Sequence, residues 1–397
     1  MPFHLTDTEW VMIVVAAIYL FECACWVGRE VTCLSTVLGR FRVLPSPSFL
    51  GNEQYKLIMG NPSPLARCFV CESWPIAVSP EGICFPEGTW MSPGGESPCH
   101  VALDSIVGAI VAVEKEVRIN GVTIAKCTSE EQAERLTAML QEMAATSEAD
   151  RGRLIGEYLD RWTDNAAAAE RFSELTELSG PLRTSGFTLF MLAFIVGPAL
   201  YYSPWPSTWP VVTVYFVMLF STWMLTVWDY AACRKRLLGE KFSVRFRHTG
   251  MLLLSPASAM RSSEVLLRNG LATFHPLATA AVLCTKDRFA ALSRPMLLAL
   301  EHPMPGEVPS ESAAGRIDAW FRKKLLKRLN ALLRRVEVDP AELLRPAEPL
   351  HDSRSYCPRC HNQFVLAEGT CADCGGLALV AYAGSSQPAE ACSRIER

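Results

Sequence analysis

The residues with the clearest chemical potential in this 397-residue chain are Cys357-Pro358-Arg359-Cys360 and, after ten intervening residues, Cys371-Ala372-Asp373-Cys374. Two residues between paired cysteines let each pair close on one cation through a tight knuckle, and two pairs supply four thiolates for a tetrahedral site. Zn2+ in a structural role is the ion this set suits, since four cysteines leave no coordination position open for a reactive water. Iron is the chemical competitor, because the same thiolates hold it. His361 follows the first knuckle, where such sites usually have glycine, while Gly375 and Gly376 follow the second and let the backbone turn there. A segment this small has too little core to fold unaided, so the metal is expected to hold it together.

The other reactive side chains give weaker patterns. Cys68 and Cys71, with Cys84, Cys99 and His100, provide enough ligands for a second metal site, but only one pair is closely spaced and it lacks a turn-forming residue. Buried reduced thiols are the alternative reading. His275, Cys284 and Asp287 form no recognisable catalytic set, and a histidine before proline more often shapes a turn. The chain has no phosphate-binding Walker loop, dinucleotide-type glycine turn, His-Glu-x-x-His zinc motif or Gly-x-Ser-x-Gly elbow. No catalytic or cofactor-binding residue is therefore assigned besides the four metal ligands. On those cysteines, with strand-like residues 363–366 and 377–382 around them, residues 356–382 resemble a short zinc ribbon. That likeness implies a small metal-stapled module and leaves its partner open, since ribbons contact nucleic acids or proteins or simply stabilise a chain end.

A second constellation is electrostatic. From Arg316 to Val336, Ile317, Trp320, Phe321, Leu325, Leu329, Leu332 and Leu333 recur on one helical stripe, opposite Lys323, Lys324, Lys327 and Arg328. Such a helix suits an anionic leaflet, with Trp320 and Phe321 at the interface and the basic side chains on phosphates. The alternatives are an ordinary helix packing its apolar face on the protein, or a nucleic-acid contact. The last is disfavoured by the acidic first half of the chain.

Several elements must position these groups. Hydrophobic residues are 50% of the chain, charged residues only 20%, and mean hydropathy is +0.16, a balance that excludes wholesale disorder and points to membrane segments. Between Arg183 and Asp229 lie 45 consecutive residues without a charge. Ser203 to Pro210 carries three prolines and two tryptophans and breaks this run, giving transmembrane helices over 186–202 and 210–228. A third span is expected over 10–27, interrupted by Glu22, which is either a hydrated acid near the interface or a contact among the spans. No Lys or Arg precedes it and no small-residue cleavage site follows, so it reads as an anchor rather than a signal peptide. Cys23, Cys25 and Cys33 are apolar fillers or acylation sites. Basic residues flank the spans at Arg29, Arg40, Arg42, Arg171 and Arg183, and again from Arg234 to Arg247, while the Pro/Trp turn has none. The positive-inside rule then places the N-terminus and the turn outside, and both large regions in the cytosol, in an inner or plasma membrane.

Residues 28–183 hold 14 basic and 21 acidic side chains, and residues 231–397 hold 24 basic and 16 acidic ones, so the two regions are expected to attract each other or the second to attract the membrane. Over 40–146, short apolar stretches near 56–59, 67–70, 75–78, 83–85, 101–113, 116–119 and 122–125 predict a β-rich domain. Asn120-Gly121 marks a hairpin, Ser129 and Gln132 mark a capping box, and an amphipathic helix closes the domain. That order, over about 45–146, resembles a pleckstrin-homology-like roll. A helical connector over 147–183, with helices near 150–163 and 165–179, leads to the spans. A helical region over 245–346, with helices at 256–269 and 276–301, carries the basic helix 316–336.

The sequence thus predicts an α+β integral membrane protein: three transmembrane helices, a β-rich cytosolic domain closed by a helix, a helical cytosolic region and a C-terminal zinc ribbon. Its expected role is a membrane-anchored binding or scaffold protein, an accessory part of a membrane assembly, contacting the bilayer, anionic headgroups and a protein partner rather than nucleic acid. The alternatives are a membrane-bound enzyme with an unrecognised site, and an oligomeric transporter or channel component.

Overall fold

The computed structural model describes residues 32–35, 41–44, 76–84, 100–106, 110–114, 116–127, 130–201, 209–238, 249–250, 252, 259, 262–271, 273–303 and 312–382. The protein is a mixture of helix and sheet in which helix predominates. In chain order the strands before the first helix are β1 (Thr32–Ser35), β2 (Phe41–Leu44), β3 (Ala77–Val78), β4 (Gly82–Cys84), β5 (His100–Ala102), β6 (Ile110–Val113), β7 (Glu116–Ile119) and β8 (Val122–Lys126). Helices α1 (Glu130–Ala145), α2 (Glu148–Trp162), α3 (Asn165–Leu178), α4 (Gly180–Met191), α5 (Gly197–Tyr201) and α6 (Trp209–Leu238) follow. Then come α7 (Ser262–Leu271), α8 (Pro276–Leu283), α9 (Lys286–Glu301), α10 (Ala313–Arg335) and α11 (Pro340–Leu344), and the short strands β9 (Ser355–Tyr356), β10 (Gln363–Phe364), β11 (Thr370–Cys371), β12 (Leu377–Ala378) and β13 (Val380–Ala381).

These elements group into two compact units. The first comprises residues 1–54, 165–273 and 282–284. Its described core joins Leu182 and Leu189 of α4 to Val227, Tyr230 and Cys233 of α6 and Leu266 of α7. Ser185 donates to Asp229 (2.8 Å) and Tyr215 donates to the Leu192 carbonyl (3.1 Å), so α4 and α6 run antiparallel. Between α4 and α5 the backbone passes through a π-helical turn at Leu192–Val196. Pro198 has no N–H to give to the carbonyl four residues back, and the wider turn absorbs that loss. A Cβ at Gly197 would come within 2.5 Å of the Tyr215 hydroxyl, so a larger residue there would displace that hydroxyl from the Leu192 carbonyl.

Among the described residues one helix, over Trp209–Leu237, is long and apolar enough to cross a membrane. The three expected spans are corrected to that extent. The span at 10–27 falls outside the described residues. The one at 186–202 is continuous helix from Gly180 to Tyr201 but is divided by the π turn into α4, the turn and α5.

The second unit comprises residues 55–164, 274–281 and 285–397. The β-rich region and the C-terminal region, which read as separate domains in sequence, share this unit. Strands β3, β4 and β5 form one antiparallel sheet, with Cys84 opposite His100, and β6, β7 and β8 form another. The expected continuous stretch 101–113 is split by a 3-10 turn at Leu103–Ser105. At the β4–β5 crossing a Cβ on Gly82 would lie 2.4 Å from the Val101 carbonyl, so only glycine fits. The Asn120-Gly121 hairpin forms, with φ of 50° and 82° at the two turn residues and Ile119 opposite Val122. Helix α1 covers the β6–β8 sheet, burying Leu136, Leu140 and Met143. Strands β3 to β8 make two separate three-stranded sheets, and no likeness to a pleckstrin-homology roll follows from them. Ser129 of the capping box, and the stretches at 56–59 and 67–70, lie outside the described residues.

Helix 276–301 is corrected to two helices: the chain leaves helical geometry at Thr285, whose extended backbone starts α9. In the same unit Arg151 is almost fully buried and ties α2 to its surroundings, donating to the carbonyls of Met143 (2.9 Å), Thr146 (3.0 Å) and Pro80 (3.1 Å) and pairing with Asp104 (2.5 Å).

Candidate metal centre and basic helix

The four cysteines predicted as ligands come together. The Sγ atoms of Cys357, Cys360, Cys371 and Cys374 all lie within 4.8 Å of one another. Each pair is held by its own turn. The Cys357 carbonyl accepts from the His361 N–H (2.9 Å) and the Cys371 carbonyl accepts from the Gly376 N–H (2.9 Å). The residue after each second cysteine is left-handed: His361 has φ 59° and Gly375 has φ 64°. His361 thus occupies the conformation that glycine usually supplies there, at the cost attached to a Cβ. Strands set the separation of the two turns. Gln363 lies opposite Tyr356 across the first, Cys371 lies opposite Leu377 across the second, and β13 returns to pair with β9. Phe364, Leu377 and Leu379 pack around the sulfurs.

A tetrahedral zinc with Zn–S bonds of about 2.3 Å requires sulfurs about 3.8 Å apart. Cys360 and Cys371 stand at 3.7 Å. The acid–base chemistry of the set also suits a cation. Burial works against a thiolate at Cys357, but hydrogen bonds from the backbone at Cys360 and Arg359 and from the thiols of Cys360 and Cys374 hold it below the ordinary thiol range. Burial, and then the neighbouring Cys357 sulfur, push Cys360 up to about 12. Burial and the charge of Cys360 push Cys374 up as well. The opposite shifts of Cys357 and of Cys360 and Cys374 are those of thiolates that repel one another, a repulsion that a bound cation relieves. These residues can therefore bind a metal ion such as zinc.

Sequence reasoning missed how this module attaches to the helices of its unit. Arg359, inside the first knuckle, is buried and donates to the His302 carbonyl at the end of α9 (3.1 Å). Arg294 on α9 lies 2.6 Å from His361 Nδ1 and donates to the Arg345 carbonyl (3.1 Å). Burial, followed by the charge of Arg294, holds the His361 ring down to about 4, so it presents an unprotonated nitrogen to the guanidinium. The arginine in Cys-Pro-Arg-Cys was the visible signal, but nothing in the spacing named its acceptor.

The basic helix forms as α10, within a residue or three of its expected ends. Its apolar stripe faces the protein: Ile317, Leu325, Leu329, Leu332 and Leu333 are buried against β3, β4, α2 and α9. Phe321 packs against Ala77, Cys84, Ala314 and Ile317, and Trp320 is half-buried near Gly152 with Lys324 over its ring at 5.3 Å. Trp320 and Phe321 are the residues expected at a leaflet; β3 and β4 supply Phe321 with an apolar partner within the same unit. Lys323, Lys324 and Lys327 are exposed. Arg328 is committed to α2, with its Nε 2.9 Å from Asp160 and a hydrogen bond to the Gly156 carbonyl.

Of the weaker constellations, Cys68, Cys71 and Cys99 lie outside the described residues. Cys84 is buried in β4. His275 begins α8 as a cap, its Nδ1 accepting from the Leu277 N–H (3.1 Å), with its ring edge-on to Trp162 at 4.5 Å. No family model, curated protein or solved structure matches this chain.

Proposed function

We propose that the protein is a membrane-anchored scaffold whose α4–α6 hairpin lies in the bilayer and whose second unit, stapled by a structural zinc in a short ribbon at 356–382, offers a cytosolic binding surface. The observation that carries this reading is the exposure of apolar side chains along the hairpin. Trp209, Phe216, Val217, Phe220 and Trp228 on α6 are each 58–79% exposed, and Phe190 and Ile195 on the partner segment are 43% and 51% exposed. A hairpin in water would hide such a surface, whereas one in lipid presents it. Lys235 and Arg236 in the last turn of α6, and Arg183 at the start of α4, favour the cytosol for that end. The span over 10–27 would add a further crossing.

Lys323, Lys324 and Lys327 offer a basic surface for anionic headgroups or an acidic partner protein, acting through charge alone since the stripe behind them is covered. A thiol reagent that cannot cross membranes tests the arrangement. A cysteine placed by Ser207→Cys should label in intact cells and Cys392 only after permeabilisation. The reverse pattern would invert the topology, and equal labelling of both would remove the membrane reading.

A further inference from the structure

Three of the four sulfur ligands are shielded and one is not. Cys357 and Cys371 are 0% exposed and Cys374 is 5% exposed, whereas Cys360 lies open to solvent. The Cys360 Sγ stands 3.7 Å from that of Cys371, which belongs to the other knuckle. A metal-bound cysteine is held as the thiolate, the form of sulfur that attacks oxidants, and access then decides which of several thiolates reacts. An accessible thiolate beside a second sulfur is the arrangement of a redox-sensitive cysteine with its resolving partner. Arg359 and His361, on either side of Cys360, are the residues that reach the His302 carbonyl and Arg294, so the open sulfur also sits where the module attaches to α9.

We propose that Cys360 is a site of oxidation by hydroperoxides, and that the disulfide it then forms with Cys371 expels the metal. This rests on the zinc reading above. In the first step the Cys360 thiolate attacks the terminal oxygen of the hydroperoxide. An S–O bond forms, the O–O bond breaks, and the departing alkoxide or hydroxide takes a proton from water. In the second step the Cys371 thiolate attacks the oxidised sulfur. The S–S bond forms, the S–O bond breaks, and the departing hydroxide is protonated to water. Each sulfur loses one electron and the peroxide gains both. The cation, left with Cys357 and Cys374, has lost half of its ligands and departs as Zn2+. Reduction by a thiol cleaves the disulfide and restores the four ligands.

The test uses the full chain purified with its zinc in mild detergent and treated with hydrogen peroxide. Released zinc is followed with a chromogenic chelator, and disulfides are mapped by mass spectrometry after the remaining thiols are alkylated. Zinc should appear in step with a Cys360–Cys371 link, and a thiol reductant with added zinc should reload the site. Cys360→His keeps four ligands in a three-cysteine, one-histidine set but removes the open sulfur, and should slow zinc release by about tenfold or more. Cys374→His keeps the same ligand count with Cys360 in place, and should release zinc close to the wild-type rate. Among the four ligands, a first link in the zinc-loaded protein that omits Cys360, or that joins it to Cys357 or Cys374, would overturn the proposal. So would equal protection by the two variants. Protein that carries no zinc before peroxide is added would overturn the metal reading and this inference together.

Discussion

A single guanidinium joins three segments of the second unit. Arg151 satisfies carbonyls of Pro80, Met143 and Thr146, two of them at the α1–α2 junction, from an almost fully buried position. Arg151→Met should destabilise the unit by about 2–4 kcal/mol, because it removes charge-assisted bonds and leaves acceptors without their donor. Asp104→Asn should cost no more than about 0.5 kcal/mol, since that carboxylate is 73% exposed and water replaces it. Thermal unfolding in detergent, followed by tryptophan fluorescence, would rank the two, and equal losses would contradict the assignment. His275 supplies a pH signature. Burial holds its ring down to about 3, against about 6.5 when the chain is unfolded. Above 6.5 the ring is neutral in both states and its cap on α8 contributes fully. As pH falls from 6.5 toward 3, the unfolded chain takes up the proton and stability is lost. His275→Asn keeps an acceptor for the Leu277 N–H without that proton uptake. Its melting temperature should therefore drop less than that of the wild type between about pH 7.5 and about pH 5.

At the scale of elements, the metal module is held by two hairpins too short to persist alone. Purified protein should carry about one zinc per chain. Cys371→Ser with Cys374→Ser should release it and make residues 355–382 cleavable by protease, and metal-free protein with the same resistance would contradict the stapling role. The ligands were legible because Cys-x-x-Cys pairs encode their own geometry. The special position of His361 was legible too, since glycine usually stands there, but its contact with Arg294 on α9 was not, because no local pattern names a partner 67 residues away. The period of α10 was equally legible, but period alone does not distinguish a lipid partner from a protein one. The protein contact it makes is long-range: Ala77 and Cys84 on β3 and β4 meet Ile317 and Phe321. The split of 186–202 follows from Gly197-Pro198 in the sequence, and its closeness to Tyr215 became apparent only with α6 in place.

The molecule as a whole divides along lines that chain order conceals, because residues 55–164 and 285–397 fold together although the hairpin lies between them in sequence. Charged pairs lie along this association. Arg316 meets Glu81 at 3.1 Å and Arg328 meets Asp160 at 2.9 Å, while Arg335 donates to the Thr163 carbonyl. The ion pairs are partly exposed and contribute little each, so the association is carried by the buried face of α10 and the charges set its register. The two units thus have contrasting surfaces: one has a helix with tryptophan and phenylalanine outward, the other has lysines outward over a covered apolar face. Extraction of membranes with alkaline carbonate tests the claim that joins them. The full-length protein should remain in the membrane pellet and enter solution only with detergent. Its release into the carbonate supernatant, as a folded protein carrying its metal, would contradict the account.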